Sequence, residues 1–292
     1  MSVAFCGLEL AHPVINGSGT FDTIAAARVF GEGLREDFPF AAYVSKTITL
    51  APRAGNPPPR LWETAGGLIN SIGLPNKGLE GYLREDLPGL SGLRTKDGVA
   101  VPLITNVMGA TAAELVALVE GCEEHEQIAA LELNVSCPNV RTGLDIGADP
   151  QSLRAVVEEV RPRTTKPLIV KLTPNTADVA LCAAAAEQAG ADAVSLINTL
   201  RAMALAPGDR RGARAWLGGE TGGLSGPAIR TIALAQVASV GSRVQIPVIG
   251  MGGVQTSKHA QDLLDAGATL VAVGTESFRD PAAGARVAAG LI

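Results

Sequence analysis

Near the middle of this 292-residue chain an apolar run ends among amides and a thiol: "LELNVSCPNV", residues 131–140. Free cysteine is a small hydrophobe and is often buried, so Cys137 alone needs no special role. Its setting argues for one. Asn134, Ser136 and Asn139 surround it, and Pro138 breaks the run. An ordinary thiol has a pKa near ~8.5, so a base or nucleophile here needs a cation or closed surroundings to act at neutral pH. Other apolar runs end in the same manner. Following them to their carboxyl ends gives Ser18, Lys46, Asn106, Asn134, Lys171 and Asn198, then Gly252 with Gly253 and Gly274 with Thr275. A lysine or asparagine closing a buried strand is costly to desolvate without a partner. Their convergence on one rim predicts a site.

The glycines add a second chemistry. "IGMGGV" and "VGT" expose backbone N–H groups at the ends of two late runs, where a phosphate can be held without side-chain charge. Phosphate, a flat ring, amides and a lysine together suggest a mononucleotide such as FMN, with Lys171 stabilising negative charge that develops on ring reduction. A metal centre is not expected. Cys6, Cys122, Cys137 and Cys182 are dispersed without a CxxC pair, and His12, His125 and His259 have no ligand spacing.

The elements that position these residues are legible as eight short apolar runs, starting at Pro13, Ala41, Pro102, Ala129, Pro167, Asp192, Pro247 and Leu270. They are nearly continuous rather than alternating, as parallel strands buried on both faces require. Between them, "TAAELVALVEGCEEHEQ" opens with Thr111 and Glu114 at capping-box spacing and has apolar residues at helical intervals. "ADPQSLRAVVEEV", "TADVALCAAAAEQAG", "PAIRTIALAQVASV" and "TSKHAQDLLDAG" follow the same pattern, two of them stopping at Gly190 and Gly267. Eight such units predict an α/β fold, a (β/α)8 TIM barrel. An open doubly wound sheet would need a Gly-rich turn after the first strand, and "NGSGTFD" lacks GxGxxG. Two gaps, about residues 47–101 and 199–246, exceed one crossover helix. Both begin at carboxyl ends of strands, so they predict loop insertions, with a hairpin among them, over the barrel mouth. One domain spanning 1–292 is expected.

Composition narrows the class. The residues are 47% hydrophobic and only 3% aromatic, so the core must rest on Val, Ile, Leu and Ala. A formal charge of −5 without a basic run argues against a nucleic-acid surface. No uninterrupted apolar segment of about 18 residues predicts a spanning helix. The first residues lack the basic start and apolar core of a secretion signal, so a cytoplasmic location is expected.

Seven motifs, "SKTITLAPRAGNPPPR", "GGLINSIGLPN", "LNVSCPN", "KLTPN", "INTL", "GGLSGPAI" and "GMGGV", stand in the order found in class 1 dihydroorotate dehydrogenases. Over essentially its whole length the chain resembles that family, and within it the B-type catalytic subunits. The resemblance implies an FMN-containing barrel that oxidises dihydroorotate to orotate in pyrimidine (UMP) biosynthesis. Cys137 would be the base that takes a proton from C5, with Lys46 beside it, while a hydride passes from C6 to N5 of FMN. Substrate contacts would fall to Lys46, Asn70, Ser71, Ile72, Gly73, Leu74, Asn134, Asn139, Asn198 and Thr199. The cofactor would be held by Ser18, Lys46, Thr47, Asn106, Asn134, Lys171, Ile197, Gly226, Gly252, Gly253, Gly274 and Thr275. Class 2 enzymes carry a membrane-associating extension and a serine in place of the cysteine, so class 1 is the expectation here. A-type members are homodimers that reduce fumarate. B-type members pair with a subunit carrying FAD and a [2Fe–2S] cluster that passes electrons to NAD+, and the dispersed cysteines fit a chain that leaves the cluster to its partner. A homodimer or heterotetramer is therefore expected. Two rivals stay open: a dihydropyrimidine dehydrogenase-like reductase, and a barrel that binds FMN or a phosphorylated ligand without redox turnover.

Overall fold

The computed structural model describes residues 2–31, 33–135, 146–206, 208 and 214–291. Strands β1 (Val3–Phe5) and β2 (Leu8–Leu10) form an N-terminal hairpin. Strands β3 (Val14–Asn16) and β4 (Tyr43–Val44) follow, then a second hairpin, β5 (Leu61–Thr64) and β6 (Gly67–Asn70). Next come β7 (Leu103–Val107), β8 (Ile128–Asn134), β9 (Leu168–Lys171) and β10 (Ala193–Leu196). A third hairpin, β11 (Leu200–Met203) and β12 (Thr221–Ser225), precedes β13 (Val248–Met251) and β14 (Leu270–Val273).

All eight predicted runs are strands of one parallel sheet, ordered β3-β14-β13-β10-β9-β8-β7-β4. The sheet closes between β4 and β3. The Ala41 N–H donates to the Val14 carbonyl (2.9 Å), and the buried Asn16 amide bridges the rest of the seam. Its Oδ1 accepts from the Val44 N–H and its Nδ2 donates to the Val44 carbonyl, both at 2.8 Å. An asparagine side chain thus does what a missing pair of ladder bonds would do. The result is the (β/α)8 barrel expected from the sequence.

Several helices start at side-chain caps. Thr111 accepts from the Glu114 N–H to open Ala112–Glu123, and Glu114 reaches back to the Ala110 N–H at 2.8 Å. Asp149, Asp178 and Thr256 cap Pro150–Val160, Val179–Gln188 and Ser257–Asp265 in the same way, each worth ~1 kcal/mol. Gly190 and Gly267, at φ +94° and +105°, follow two of these helices, as expected.

Two cores result. The outer one packs Leu131, Leu133, Val170 and Val194 against helix residues such as Leu118, Leu153 and Val157. The inner one contains Ile15, Ile104, Ile169, Ile249 and Leu270, with Phe5 and Leu10 of the first hairpin closing the amino-terminal end. Fully burying each large aliphatic or aromatic side chain contributes roughly 1.5–3 kcal/mol. The two long insertions meet as one antiparallel sheet, β11-β12-β6-β5, in which Gly223 of β12 pairs with Asn70 of β6.

Candidate active site

Alternation along the barrel strands decides which residues face inward. Ile104, Ala130, Ile169 and Ala193 belong to the inner core, so Asn106, Glu132, Asn134, Lys171 and Ser195 continue that face toward the carboxyl ends. Above an aliphatic plug the barrel therefore carries a polar layer. Lys171 is buried and, among the described residues, its side chain makes no hydrogen bond or ion pair. Asn106 is wholly buried. Its Nδ2 donates to Glu132 at 2.5 Å, and its Oδ1 has no partner among the described residues.

The surrounding rim assembles in groups. Ser18 donates to the Ser45 carbonyl at 2.8 Å and lies 3.4 Å from Thr47 Oγ1, which in turn accepts from Asn134 Nδ2 at 3.3 Å. Lys46, between Ser45 and Thr47, is exposed. Asn70 donates to the Gly223 carbonyl at 3.2 Å. A Cβ on Gly223 would lie only 2.0 Å from Thr199 Oγ1, so the insertion sheet is pressed onto the loop after β10. Asn198 Oδ1 accepts from the Thr199 N–H at 2.9 Å. A third group joins Ile197, Gly252, Gly253, Gly226 and Thr275. A Cβ on Gly252 would fall 3.3 Å from Ile197, one on Gly253 2.9 Å from the Gly226 carbonyl, and one on Gly226 3.6 Å from Thr275. Gly274 packs against Gly17, beside Ser18. Among the described residues Asn106 has no hydrogen bond to another expected site residue; Glu132 links it to Ser195, whose register partner is Lys171. Cys137 and Asn139 lie outside the described residues.

The Asn70–Leu74 segment is braced from two sides. The Asn56 N–H donates to the Ile72 carbonyl at 3.0 Å, and Asn56 Nδ2 reaches Ser71 Oγ at 3.1 Å. Asn76 Nδ2 donates to the Leu74 carbonyl (2.8 Å) and to Thr49 Oγ1 (2.9 Å), while its Oδ1 accepts from the Gly78 N–H at 2.8 Å. These contacts hold Leu74 at φ +55°, a left-handed conformation that a leucine adopts only under constraint. Asn56, Asn76, Glu132 and Ser195 were not among the residues expected from the sequence. Glu132 carries a signal, a charge inside the apolar run "LELN"; the two asparagines stand among Pro and Gly, where an amide is common in turns.

The remaining thiols and histidines have other occupations. Burial pushes Cys122 up to about 12 and Cys6 to about 11, and it also raises Cys182, so none of the three is a thiolate at neutral pH. His12 Nδ1 and His259 Nδ1 each accept a backbone N–H at 3.3 Å, and burial lowers both imidazoles below their ordinary range. Among the described residues, no three His, Cys, Asp or Glu side chains are grouped to hold a metal.

Compared with known proteins, residues 1–292 match the dihydroorotate dehydrogenase family from end to end. The chain belongs to that family. It is 44% identical over 292 residues to the dihydroorotate dehydrogenase B (NAD(+)) catalytic subunit of Pelobacter propionicus, covering 100% of this chain and 92% of that protein. The catalytic subunit of the same name from Desulforudis audaxviator is 45% identical over 294 residues, covering 99% and 91%. As a member of the dihydroorotate dehydrogenase family the chain is a flavoprotein oxidoreductase, and the family is FMN-dependent. The residues present fit that cofactor. A buried lysine without a partner suits an anion or an electron-rich ring edge, and an orphaned amide oxygen suits an N–H or hydroxyl donor. The glycine group, with φ +89° at Gly226, +133° at Gly252 and +70° at Gly253, leaves backbone where side chains would collide. Among the described residues no helix is long and apolar enough to cross a membrane.

Proposed function

We propose that this chain, as a single barrel domain, is the catalytic subunit of a B-type dihydroorotate dehydrogenase, oxidising dihydroorotate to orotate in pyrimidine biosynthesis. The observation that carries the reading is the polar layer above the aliphatic plug, where Lys171 and the Asn106 oxygen are buried without side-chain partners among the described residues. FMN, when bound, supplies the acceptor for the hydride that leaves C6. The chain's own residues hold both molecules and move the proton. Lys171, Asn106, Asn134, Ser18, Lys46 and Thr47 take the ring and ribityl portion. Gly226, Gly252, Gly253, Gly274 and Thr275 take the phosphate through backbone N–H groups, and Ile197 packs beside them.

Substrate falls to Lys46, the Asn70, Ser71, Ile72, Gly73 and Leu74 segment, Asn134, Asn139, Asn198 and Thr199. A dihydropyrimidine offers alternating N–H and C=O groups, and each asparagine amide supplies both a donor and an acceptor. Lys46 gives the substrate carboxylate a cation and favours the Cys137 thiolate. Cys137 then takes the C5 proton while the C6 hydride departs, leaving the C5–C6 double bond of orotate. Electrons go on to NAD+ through a partner subunit with FAD and a [2Fe–2S] cluster, in a heterotetramer. Relatives named as NAD(+) catalytic subunits support this part of the reading.

The test is the visible spectrum of the purified chain under anaerobic conditions, before and after adding dihydroorotate. The expected result is a flavin spectrum that bleaches with dihydroorotate and not with dihydrouracil. A flavin that responds only to dihydrouracil would support the reductase rival instead. One that responds to neither would leave a non-redox binding barrel.

A further inference from the structure

We propose that Glu132 is a positioning residue: it fixes the Asn106 amide so that the amide oxygen, not the nitrogen, meets the bound cofactor. The inference rests on the FMN reading above. Asn106 on β7, Glu132 on β8 and Ser195 on β10 are all buried within the barrel. Ser195 Oγ donates to Glu132 Oε1 at 2.6 Å and Asn106 Nδ2 donates to Glu132 Oε2 at 2.5 Å. Each carboxylate oxygen is thereby committed to one neighbour.

The two ends of an asparagine amide are nearly the same size, so shape alone does not choose between them. A carboxylate does choose, because it only accepts hydrogen bonds. It turns the Asn106 NH2 toward itself and leaves Oδ1 facing the other way. The backbone is held as well, since the Asn106 N–H donates to Ser45 Oγ at 3.1 Å. Among the described residues Oδ1 is then buried and unpaired, an arrangement that costs roughly 1–3 kcal/mol until a donor arrives. Lys171 lies in the same inward layer, with Ser195 as its register partner. The layer therefore presents a donor, Lys171, and an acceptor, the Asn106 oxygen. The pyrimidine edge of a flavin alternates C=O and N–H, and its ribityl chain carries hydroxyls. With its two oxygens taken by Asn106 and Ser195, Glu132 acts through Asn106.

The experiment titrates FMN-free wild type, Glu132→Gln, Asn106→Ala and the double variant with FMN, following flavin fluorescence. Glutamine keeps the shape of Glu132 but offers both a donor and an acceptor, so the Asn106 amide loses its enforced orientation. The expected result is an affinity lower by on the order of tenfold in Glu132→Gln, about one hydrogen bond. In the Asn106→Ala background the same substitution should change affinity by less than about twofold. Unchanged affinity in Glu132→Gln, or losses that simply add in the double variant, would overturn the proposal. If Glu132→Gln does not fold, a hydrogen-resolving crystal structure of the FMN-bound wild type decides. Oδ1 directed at a cofactor donor supports the assignment, and an amide turned with Nδ2 toward the cofactor sinks it. Wild type that binds no FMN would instead remove the cofactor reading, and this inference with it.

Discussion

Lys171 is a cation in a place that does not suit one: buried at the end of β9, its side chain making no ion pair or hydrogen bond among the described residues. A buried charge without a partner destabilises a fold, so its presence is better explained by what it binds than by what it supports. Lys171→Met, close in shape and neutral, therefore separates the two roles. The FMN-free variant should melt at the same temperature as wild type or higher, while its FMN affinity falls by about tenfold or more. A drop in melting temperature with unchanged affinity would make Lys171 a structural residue. At this scale the sequence was informative wherever polarity interrupts an apolar run, as at Lys171, Asn134 and Asn106. It was silent on Asn16, Asn56 and Asn76. Their side chains act on backbone 28, 15 and two residues away, at Val44, Ser71 and Leu74, and nothing local marks that.

Among the elements, the eight barrel strands and their helices were legible because each strand is apolar on both faces and most helices have a side-chain cap. The insertions were less so. Residues 47–101 and 199–246 were expected to be loops with a hairpin, yet their strands join across the gaps into one sheet. The sequence of β12, "TGGLS", hides this, since two glycines weaken any strand signal. Those glycines are needed for clearance: a Cβ on Gly222 would lie 2.4 Å from the Asn70 carbonyl. The first hairpin is hidden in another way, because Cys6 turns it with φ +48° where glycine or asparagine would be expected. The loop after β13 gives a prediction for this scale. Gly253→Ala would place a Cβ 2.9 Å from the Gly226 carbonyl and 2.8 Å from the Arg230 side chain, in left-handed backbone. Stability should fall by about 1–3 kcal/mol. At a temperature where the variant is still folded, FMN binding should weaken by more than about tenfold while riboflavin, which lacks the phosphate, loses little. Equal losses for the two flavins would detach Gly253 from the phosphate.

For the whole molecule, the question is whether the chemistry and the scaffold answer to the same pH. A Cys137 base with an ordinary thiol pKa becomes thiolate toward pH ~8.5, so substrate-dependent flavin reduction should quicken as pH rises through that range. The scaffold responds later and in the opposite direction. Cys122 and Tyr43 are pushed up to about 12 and Cys6 to about 11, in each case first by burial, so all three stay neutral in the folded chain where they would ionise in the unfolded one. A group whose folded pKa is raised contributes stability that is complete below its unfolded value. That contribution declines between the two pKa values, because the unfolded chain releases its proton first. For the thiols the decline begins near the ordinary thiol value and runs to about 11 and 12. For Tyr43 it begins near 10.0 and ends at about 12. Melting temperature should therefore be flat from pH 7 to about 9 and fall steeply above it, while the reduction rate has already risen. Parallel thermal melts and anaerobic stopped-flow traces from pH 6 to 11 check both curves. Cys137→Ala should remove the rise in rate and leave the melting curve as it was. Cys122→Ala should lower the melting temperature at pH 7, through the cavity it leaves, and soften the decline above pH 9. A rate and a melting temperature that change together with pH would mean that the scaffold, not a thiol at residue 137, sets the pH dependence.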